Sequence, residues 1–559
     1  MELQIKQMET DFLILGGGTA GCYAAITFVA HSSGSVLILE KANIKRSGCL
    51  AAGVNALNAY ITPGKTAQDY VDYARSDAEG IVRGDLLLTM ADGLNSVTEK
   101  LETLGLTILK NPGGSYAVRG SRNIKINGEN IKPLLSAAVE KEPRITVQNQ
   151  VNVFDYILEE GRVIGAYAVG VKEPVLYVIS AKAILCATGG ASGLYLPNNP
   201  GFSRHKMWYP PFNTGAGLAM GIRSGAEMTT LEMRFIALRC KDTIAPTGTL
   251  AQGVGAKQIN ALGDVYEQKY GLTTSQRLHG TVIETLEGRG PCYLQTVGIT
   301  PRQSEDLLKA YLNMAPSQTL KWLESDLPPS AQNVEIEGTE PYIVGGHTAC
   351  GYWVDTNRET TIKGLFAAGD VSGGCPQKYV TGAFVEGEIA AKAAIRYMSD
   401  EQSHPDMTES AKVKIWLESY LNRDPPDTGG TIDALEEEMQ MVMDEYAGGI
   451  GSHYRYSTAS LKKADEKIRE LDDRAKRLSA GDTQELIYVL ELLERLTLCH
   501  SVIAHLTARE ETRWHSFAER TDYPQKDDRF LRYVNSRQEN GEIKIIFRDL
   551  VKEGEIYEH

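Results

Sequence analysis

One stretch, Asp11-Phe12-Leu13-Ile14-Leu15-Gly16-Gly17-Gly18-Thr19-Ala20-Gly21-Cys22-Tyr23-Ala24-Ala25-Ile26, constrains the fold of this chain more than any other. An apolar run of strand length enters a G-x-G-x-x-G turn at Gly16, Gly18 and Gly21, and a helix-compatible run leaves it. Glycines at this spacing permit a tight turn and close backbone approach, and the N-terminus of the following helix faces a pyrophosphate. A second apolar strand, residues 35–39, ends at Glu40, where an acid can accept the ribose hydroxyls of an adenosine half. The reading is an α/β fold with a Rossmann-like dinucleotide site at its N-terminus.

Two later segments separate a nicotinamide site from a flavin site. Residues 181–190 form an apolar strand running into Ala187-Thr188-Gly189-Gly190. Residues 361–370 form another, ending in Gly369-Asp370, which leaves a carboxylate where a ribityl hydroxyl can be held. Three such elements in this order resemble the FAD-binding arrangement of the succinate dehydrogenase and fumarate reductase flavoprotein superfamily. The resemblance implies an FAD-binding domain of the glutathione-reductase/fumarate-reductase type, α/β locally and α+β overall. The expected cofactor-binding residues are Gly16, Gly18, Thr19, Ala20, Gly21, Glu40, Lys41, Ser47, Gly48, Ala187, Thr188, Gly189, Gly190, Gly369 and Asp370. Members of the superfamily often carry a flavin-linked His after the second strand, whereas here Lys45-Arg46-Ser47-Gly48-Cys49-Leu50-Ala51-Ala52-Gly53 has none. Noncovalent FAD is therefore expected.

Within the superfamily, the chain from about Lys45 onward resembles the alpha subunit of dissimilatory adenylylsulfate (APS) reductase. The resemblance rests on Arg46-Ser47-Gly48, on Asn55-Ala56-Leu57-Asn58-Ala59-Tyr60, on Ile126-Asn127-Gly128-Glu129 and on Trp208-Tyr209-Pro210. It continues through Gly225-Ala226-Glu227-Met228-Thr229, Arg234-Phe235, Arg239-Cys240-Lys241-Asp242 and Glu287-Gly288-Arg289-Gly290-Pro291. Thr339-Glu340-Pro341-Tyr342, Gly346-His347 and Glu510-Glu511-Thr512-Arg513-Trp514 complete the set in order. By this resemblance Asn58, Trp208, Arg239 and His347 line the flavin face where substrate binds, and Glu129 lies near it. Arg277 and Lys378 are weaker candidates.

Two features separate the chain from the dicarboxylate enzymes of the superfamily. The stretch 272–280 carries only Arg277, out of phase with their proton-moving Arg, and Lys378 replaces an Arg that grips a carboxylate. A lysine keeps the charge and loses the bidentate fork. One feature departs from the APS reductases: the loop 245–252 lacks the large apolar residues that pack on the nucleotide there. The substrate thus stays open between APS, its 3′-phosphorylated form and a carboxylate. The family chemistry is attack of reduced flavin N5 on the substrate sulfur, departure of AMP and release of sulfite from the resulting adduct. The alternative is hydride transfer at N5 on a carboxylate, as in fumarate reductase and succinate dehydrogenase; a third reading is an electron-transfer subunit without a substrate of its own.

Composition sets the remaining expectations. A chain of 559 residues exceeds a single core. Residues 1–235 and 344–398 are expected to form the FAD-binding domain, 236–343 an inserted capping domain, and 399–559 a C-terminal helical domain with a tail. A formal charge of −14 disfavours nucleic acid as a partner. No apolar run reaches the length of a membrane span, and residues 1–10 do not read as a signal peptide, so a cytoplasmic location without membrane insertion is expected. The eight cysteines include no C-x-x-C pair. No metal is expected in this chain, and the resemblance implies [4Fe-4S] clusters only in a ferredoxin-like beta subunit that supplies electrons. A heterodimer or heterotetramer acting on a small anionic substrate completes the reading.

Overall fold

The computed structural model describes residues 1–52, 54–128, 130–198, 207–398, 403–424 and 430–559. Its centre is a seven-stranded sheet in the order Ile145–Asn149, Val36–Glu40, Gln4–Leu15, Val175–Cys186, Arg162–Gly170 and Val151–Glu159, with Leu365–Ala367 added beside Val175–Cys186. Five neighbouring strands of this sheet, Ile145–Asn149, Val36–Glu40, Gln4–Leu15, Val175–Cys186 and Leu365–Ala367, run parallel, so the ends that carry the Gly-rich turns open on one edge. In open α/β sheets, that edge is where ligands bind. The first strand is longer than its apolar run: Gln4 to Thr10 continue it because Val175 to Ala181 pair with them in register.

Two helices cover the sheet where the turns emerge. Thr19–His31 leaves the first turn, and Tyr379–Tyr397 crosses it so closely that a Cβ on Gly387 would lie 2.6 Å from the Ala20 carbonyl. Small residues at that crossing let the backbones meet, which fixes the first turn against the Gly369-Asp370 segment.

Residues between 238 and 338 build a second, antiparallel sheet in the order Leu238–Cys240, Val334–Gly338, Cys292–Leu294 and Gln258–Ile259. Helices Thr274–Leu286, Pro301–Met314 and Pro316–Ser325 pack with it. The first two start at capping boxes, Thr273 with Gln276 and Thr300 with Gln303, which satisfy the orphan N–H groups of the first turn. Ile244, Pro246, Thr274, Met314 and Ser317 of this region line one cavity together with the Gly-rich turns of the central sheet, and the region is called the cap below.

Four further helices, Met407–Leu421, Ile432–Tyr446, Thr458–Ala475 and Thr483–Ala508, follow the last crossing helix. In the longest, Asp482 caps the N-terminus by accepting from the Glu485 N–H, and Leu486, Val489, Leu490 and Leu496 are buried. The tail then returns to the core. Strands Tyr533–Glu539 and Glu542–Arg548 form a hairpin around Asn540-Gly541, both at positive φ, and extend a sheet that begins with Met228–Thr229. Seven of the eight cysteines are buried and all are free, while Cys49 is exposed to the large cavity it lines. Among the described residues, no helix is long and apolar enough to cross a membrane.

Candidate active site

A cavity of about 1140 Å³ runs from the first Gly-rich turn to the underside of the cap. Gly16, Gly18, Thr19, Ala20, Glu40, Lys41, Ser47, Gly48, Ala187, Thr188, Gly189, Gly369 and Asp370 all line it. Gly16 adopts φ of +98°, and a Cβ there would sit 2.6 Å from the Ala187 carbonyl, so only glycine lets the first two turns touch. Gly21 and Gly190 do not line the cavity. Their hydrogens face backbone carbonyls instead, 2.1 Å from Gly16 O and 2.2 Å from Ile343 O if a Cβ is added.

At one end, the buried Glu40 carboxylate is fixed by backbone donors, Gly17 N–H at 2.9 Å and Ala42 N–H at 2.8 Å. Lys41 is tied to Glu491 at 2.7 Å. Beside them Val151, Asn152 and Val153 line the wall, and the buried Nδ2 of Asn152 has no hydrogen-bond partner. An orphaned amide of this kind calls for an acceptor from a ligand. The end therefore offers an acid for ribose hydroxyls, a donor, and two valines for a flat apolar ring. Together with the glycine cradle, this fits the adenosine and pyrophosphate of FAD.

At the other end, Asp370 accepts a 2.8 Å hydrogen bond from Tyr209 OH, and the Tyr209 oxygen accepts from the Gly190 N–H at 2.8 Å. Burial, and then the Asp370 charge, raise the Tyr209 pKa and keep its proton in place. Gly346 completes this corner: a Cβ there would fall 1.9 Å from Asp370 Oδ1. Gly369 N–H is held by Glu386 at 2.9 Å.

Next to that corner lies an aromatic cluster. The His347 ring stacks on Phe235 with centroids 4.3 Å apart and an interplanar angle of 18°. Trp208 meets it edge-on at 5.5 Å and Tyr379 at 5.4 Å. Burial lowers the His347 pKa, while Asp370 and Asp77 oppose the shift through their charge. Asn58 lines the same cavity just after strand Ala56–Leu57. The structure thus brings His347, Trp208 and Asn58 to one cavity under the cap, walled by Ile244, Pro246, Met314 and Ser317 on the cap side.

Three basic candidates sit elsewhere. Arg239 is fully buried, lies opposite Glu337 in the sheet register, and is not among the lining residues, although Ala237 and Leu238 are. Its guanidinium bonds Glu337 at 3.0 Å and 3.1 Å, contacts Glu340 at 3.7 Å and donates to Asn198. A buried guanidinium is tolerable only with such counter-charge. Lys378 donates to Gly369 O at 3.0 Å, Ser372 O at 2.9 Å and Glu386 at 2.9 Å, so it braces the Gly369-Asp370 turn from behind. Arg277 holds Gln258 and Glu267 within the cap, at 3.1 Å and 3.3 Å. Glu129 lies outside the described residues. Among the described residues, no cluster of His, Cys, Asp and Glu is placed to hold a metal.

Tyr209 and Asn152 are the residues that sequence reasoning passed over. Tyr209 was within reach, since it stands inside the Trp208-Tyr209-Pro210 motif; Asn152 gives no local signal, being a polar residue in the buried first part of a strand that also carries Asp155 and Glu159.

Comparison with known proteins finds relatives that cover nearly the whole chain. Residues 11–256 match the family described as FAD binding domain, and residues 436–555 match the one described as fumarate reductase flavoprotein C-term. The adenylylsulfate reductase subunit alpha of Megalodesulfovibrio gigas is 28% identical, over 95% of this chain and 94% of its own length. The structure of adenylylsulfate reductase from Archaeoglobus fulgidus superposes with a TM-score of 0.93 at 31% identity, covering 100% of this chain and 98% of that one. A structure of adenosine-5-phosphosulfate reductase in complex with sulfite as a covalent adduct gives 0.92 at 31% identity, covering 99% and 98%.

Proposed function

We propose, from the premise that this chain belongs to the adenylylsulfate reductase alpha-subunit family, that it is the catalytic flavoprotein that reduces adenylylsulfate, or its 3′-phosphorylated form, to sulfite and AMP or its 3′-phosphorylated counterpart. The chain carries an FAD-binding domain, and FAD, when bound, supplies two-electron chemistry at its isoalloxazine ring.

The chain's residues do the rest. Glu40 and Asn152 hold the adenosine end, the glycine turns admit the pyrophosphate, and Asp370, oriented by Tyr209, takes a hydroxyl of the ribityl chain. Trp208 and Phe235 fix His347 at the reactive end, where His347 and Asn58 face the sulfonyl oxygens as negative charge collects there. The cap keeps water from that end. Domain limits at 235/236, 343/344 and 398/399 follow this division of labour. The observation that carries the reading is the convergence of His347, Trp208 and Asn58 on one cavity with the three Gly-rich turns, in a chain 31% identical to a sulfite-trapped enzyme along its whole length.

We assign electron supply to a separate ferredoxin-like iron–sulfur subunit, since the sequence has no C-x-x-C pair, and place the complex in the cytoplasm. A carboxylate substrate is less well served. Lys378 is engaged behind the Gly-Asp turn and Arg277 within the cap, which leaves neither to grip a dicarboxylate. The test is turnover by the flavin-loaded chain with reduced viologen as donor: adenylylsulfate should yield sulfite and AMP in equal amounts, and fumarate should give no donor oxidation. Fumarate-dependent oxidation without sulfite formation would reverse the assignment.

A further inference from the structure

The cap and the reactive end of the cavity meet on one carboxylate that the reading above does not use. Asp77 ends the helix Ala67–Asp77. Its Oδ1 accepts from the backbone N–H of Thr274 at 3.3 Å and from the Thr274 hydroxyl at 3.4 Å. Thr274 is the first residue of the cap helix Thr274–Leu286 and lines the cavity. An anion at a helix N-terminus is favoured by the exposed N–H groups and the helix dipole, so the carboxylate is a natural seat for this helix.

The other oxygen, Oδ2, faces inward and accepts from Nε2 of Gln377. Gln377 is buried, its Oε1 accepts from the Tyr379 hydroxyl, and its backbone carbonyl accepts from Tyr70 OH. Tyr379 then meets the His347 ring edge-on. Gln377 and Tyr379 both hold left-handed backbone conformations, at φ of 60° and 50°. Neither is glycine, so the surrounding bonds must impose the conformation, and backbone of this kind collects at functional sites. The chain of contacts is continuous: Thr274, Asp77, Gln377, Tyr379, His347.

We infer that Asp77 is a positioning residue that couples seating of the cap to the alignment of His347. With the cap helix on Oδ1, the carboxylate is fixed in the orientation that lets Oδ2 hold Gln377, and Gln377 in turn sets Tyr379 against the imidazole. With the cap lifted, the carboxylate is free to rotate into water, and the Gln377 to Tyr379 loop loses the bond that opposes its strain. The alignment of His347 as the group facing substrate is thereby restricted to the closed, water-excluded state. This rests on the reading of His347 as a substrate-facing residue.

The test compares Asp77→Ala, Asp77→Asn and Gln377→Leu in the full-length, flavin-loaded protein. Hydrogen exchange at the first turn of helix 274–286 reports seating of the cap. Reoxidation of dithionite-reduced flavin by dissolved oxygen reports access to the ring. Asp77→Ala should raise exchange there about tenfold, speed reoxidation several-fold and lower kcat at least tenfold. Asp77→Asn keeps an acceptor for Thr274 but places an amide against the Gln377 amide. It should leave exchange near the wild-type rate while lowering kcat as far as Gln377→Leu does, with KM changed less than kcat.

Wild-type exchange in Asp77→Ala would overturn the inference, as would raised exchange with kcat unchanged. So would wild-type kcat in both Asp77→Asn and Gln377→Leu. Should the wild-type protein fail to turn over adenylylsulfate, the functional reading falls, and the exchange and reoxidation results still accept or reject the seat on Asp77.

Discussion

The Tyr209 hydroxyl donates to Asp370 at 2.8 Å while its oxygen accepts from the Gly190 N–H at 2.8 Å. One phenol therefore joins the second and third Gly-rich turns, which lie about 180 residues apart in sequence. Tyr209→Phe keeps the ring and removes both bonds, leaving a buried N–H and an unanchored carboxylate. The expected cost is about 1–3 kcal/mol of stability and roughly a tenfold loss of FAD affinity at one lost hydrogen bond's worth of orientation. Thermal denaturation and flavin titration of the apoprotein check this.

Asn152 gives a prediction with opposite signs in the two states. Its Nδ2 is buried without a partner, so Asn152→Val should stabilise the flavin-free protein by about 1 kcal/mol. The same change removes a donor to the adenosine end and should weaken FAD binding. Melting temperatures measured with and without FAD should move in opposite directions.

Arg239 separates a structural from a chemical role. Removing the guanidinium leaves Glu337 and Glu340 facing each other without counter-charge. Arg239→Met should destabilise the chain by about 3–5 kcal/mol, and adding Glu337→Gln should restore part of it. A fall in kcat with no change in melting temperature would instead put the guanidinium on the substrate.

Much of the site was legible in the sequence, and the part that was not has a common cause. The Gly-rich turns and Glu40 announce themselves because backbone approach and a strand-end acid have fixed spacings. The hairpin at Asn540-Gly541 went unread inside a region expected to be helical with a tail, although both residues favour the left-handed turn the strands require. The fates of Arg239 and Lys378 were hidden because each is decided by an acid placed by the fold, Glu337 from a neighbouring strand and Glu386 from the next turns of a helix. Basic residues in an apolar context look alike whether they meet a substrate or a carboxylate of the same chain. The extension of the first strand back to Gln4 was hidden for a similar reason, as its pairing partner alone defines it.

Stability should respond to pH through Asp444. Burial raises its pKa to about 6, and its Oδ2 accepts from the Gly451 N–H at 3.0 Å. In the unfolded chain an aspartate titrates near ~3.9. Between those values the folded state binds a proton that the unfolded state does not, so stability falls as pH rises from about 4 to about 6 and levels off above. Asp444→Asn keeps an acceptor for Gly451 and removes the charge. It should match the wild type at pH 4 and exceed it by roughly 1–2 kcal/mol at pH 8, measured by denaturant titration at both values.

Sulfite titration of the oxidised, FAD-loaded protein tests the central claim most directly, because it asks whether the reactive end of the cavity accepts a small sulfur oxyanion against the flavin. The account predicts saturable bleaching of the main visible flavin band, reversed on removal of sulfite and weakened at least tenfold by His347→Ala with FAD retained. An unchanged spectrum at saturating sulfite, in a protein that holds its full complement of FAD, would contradict it.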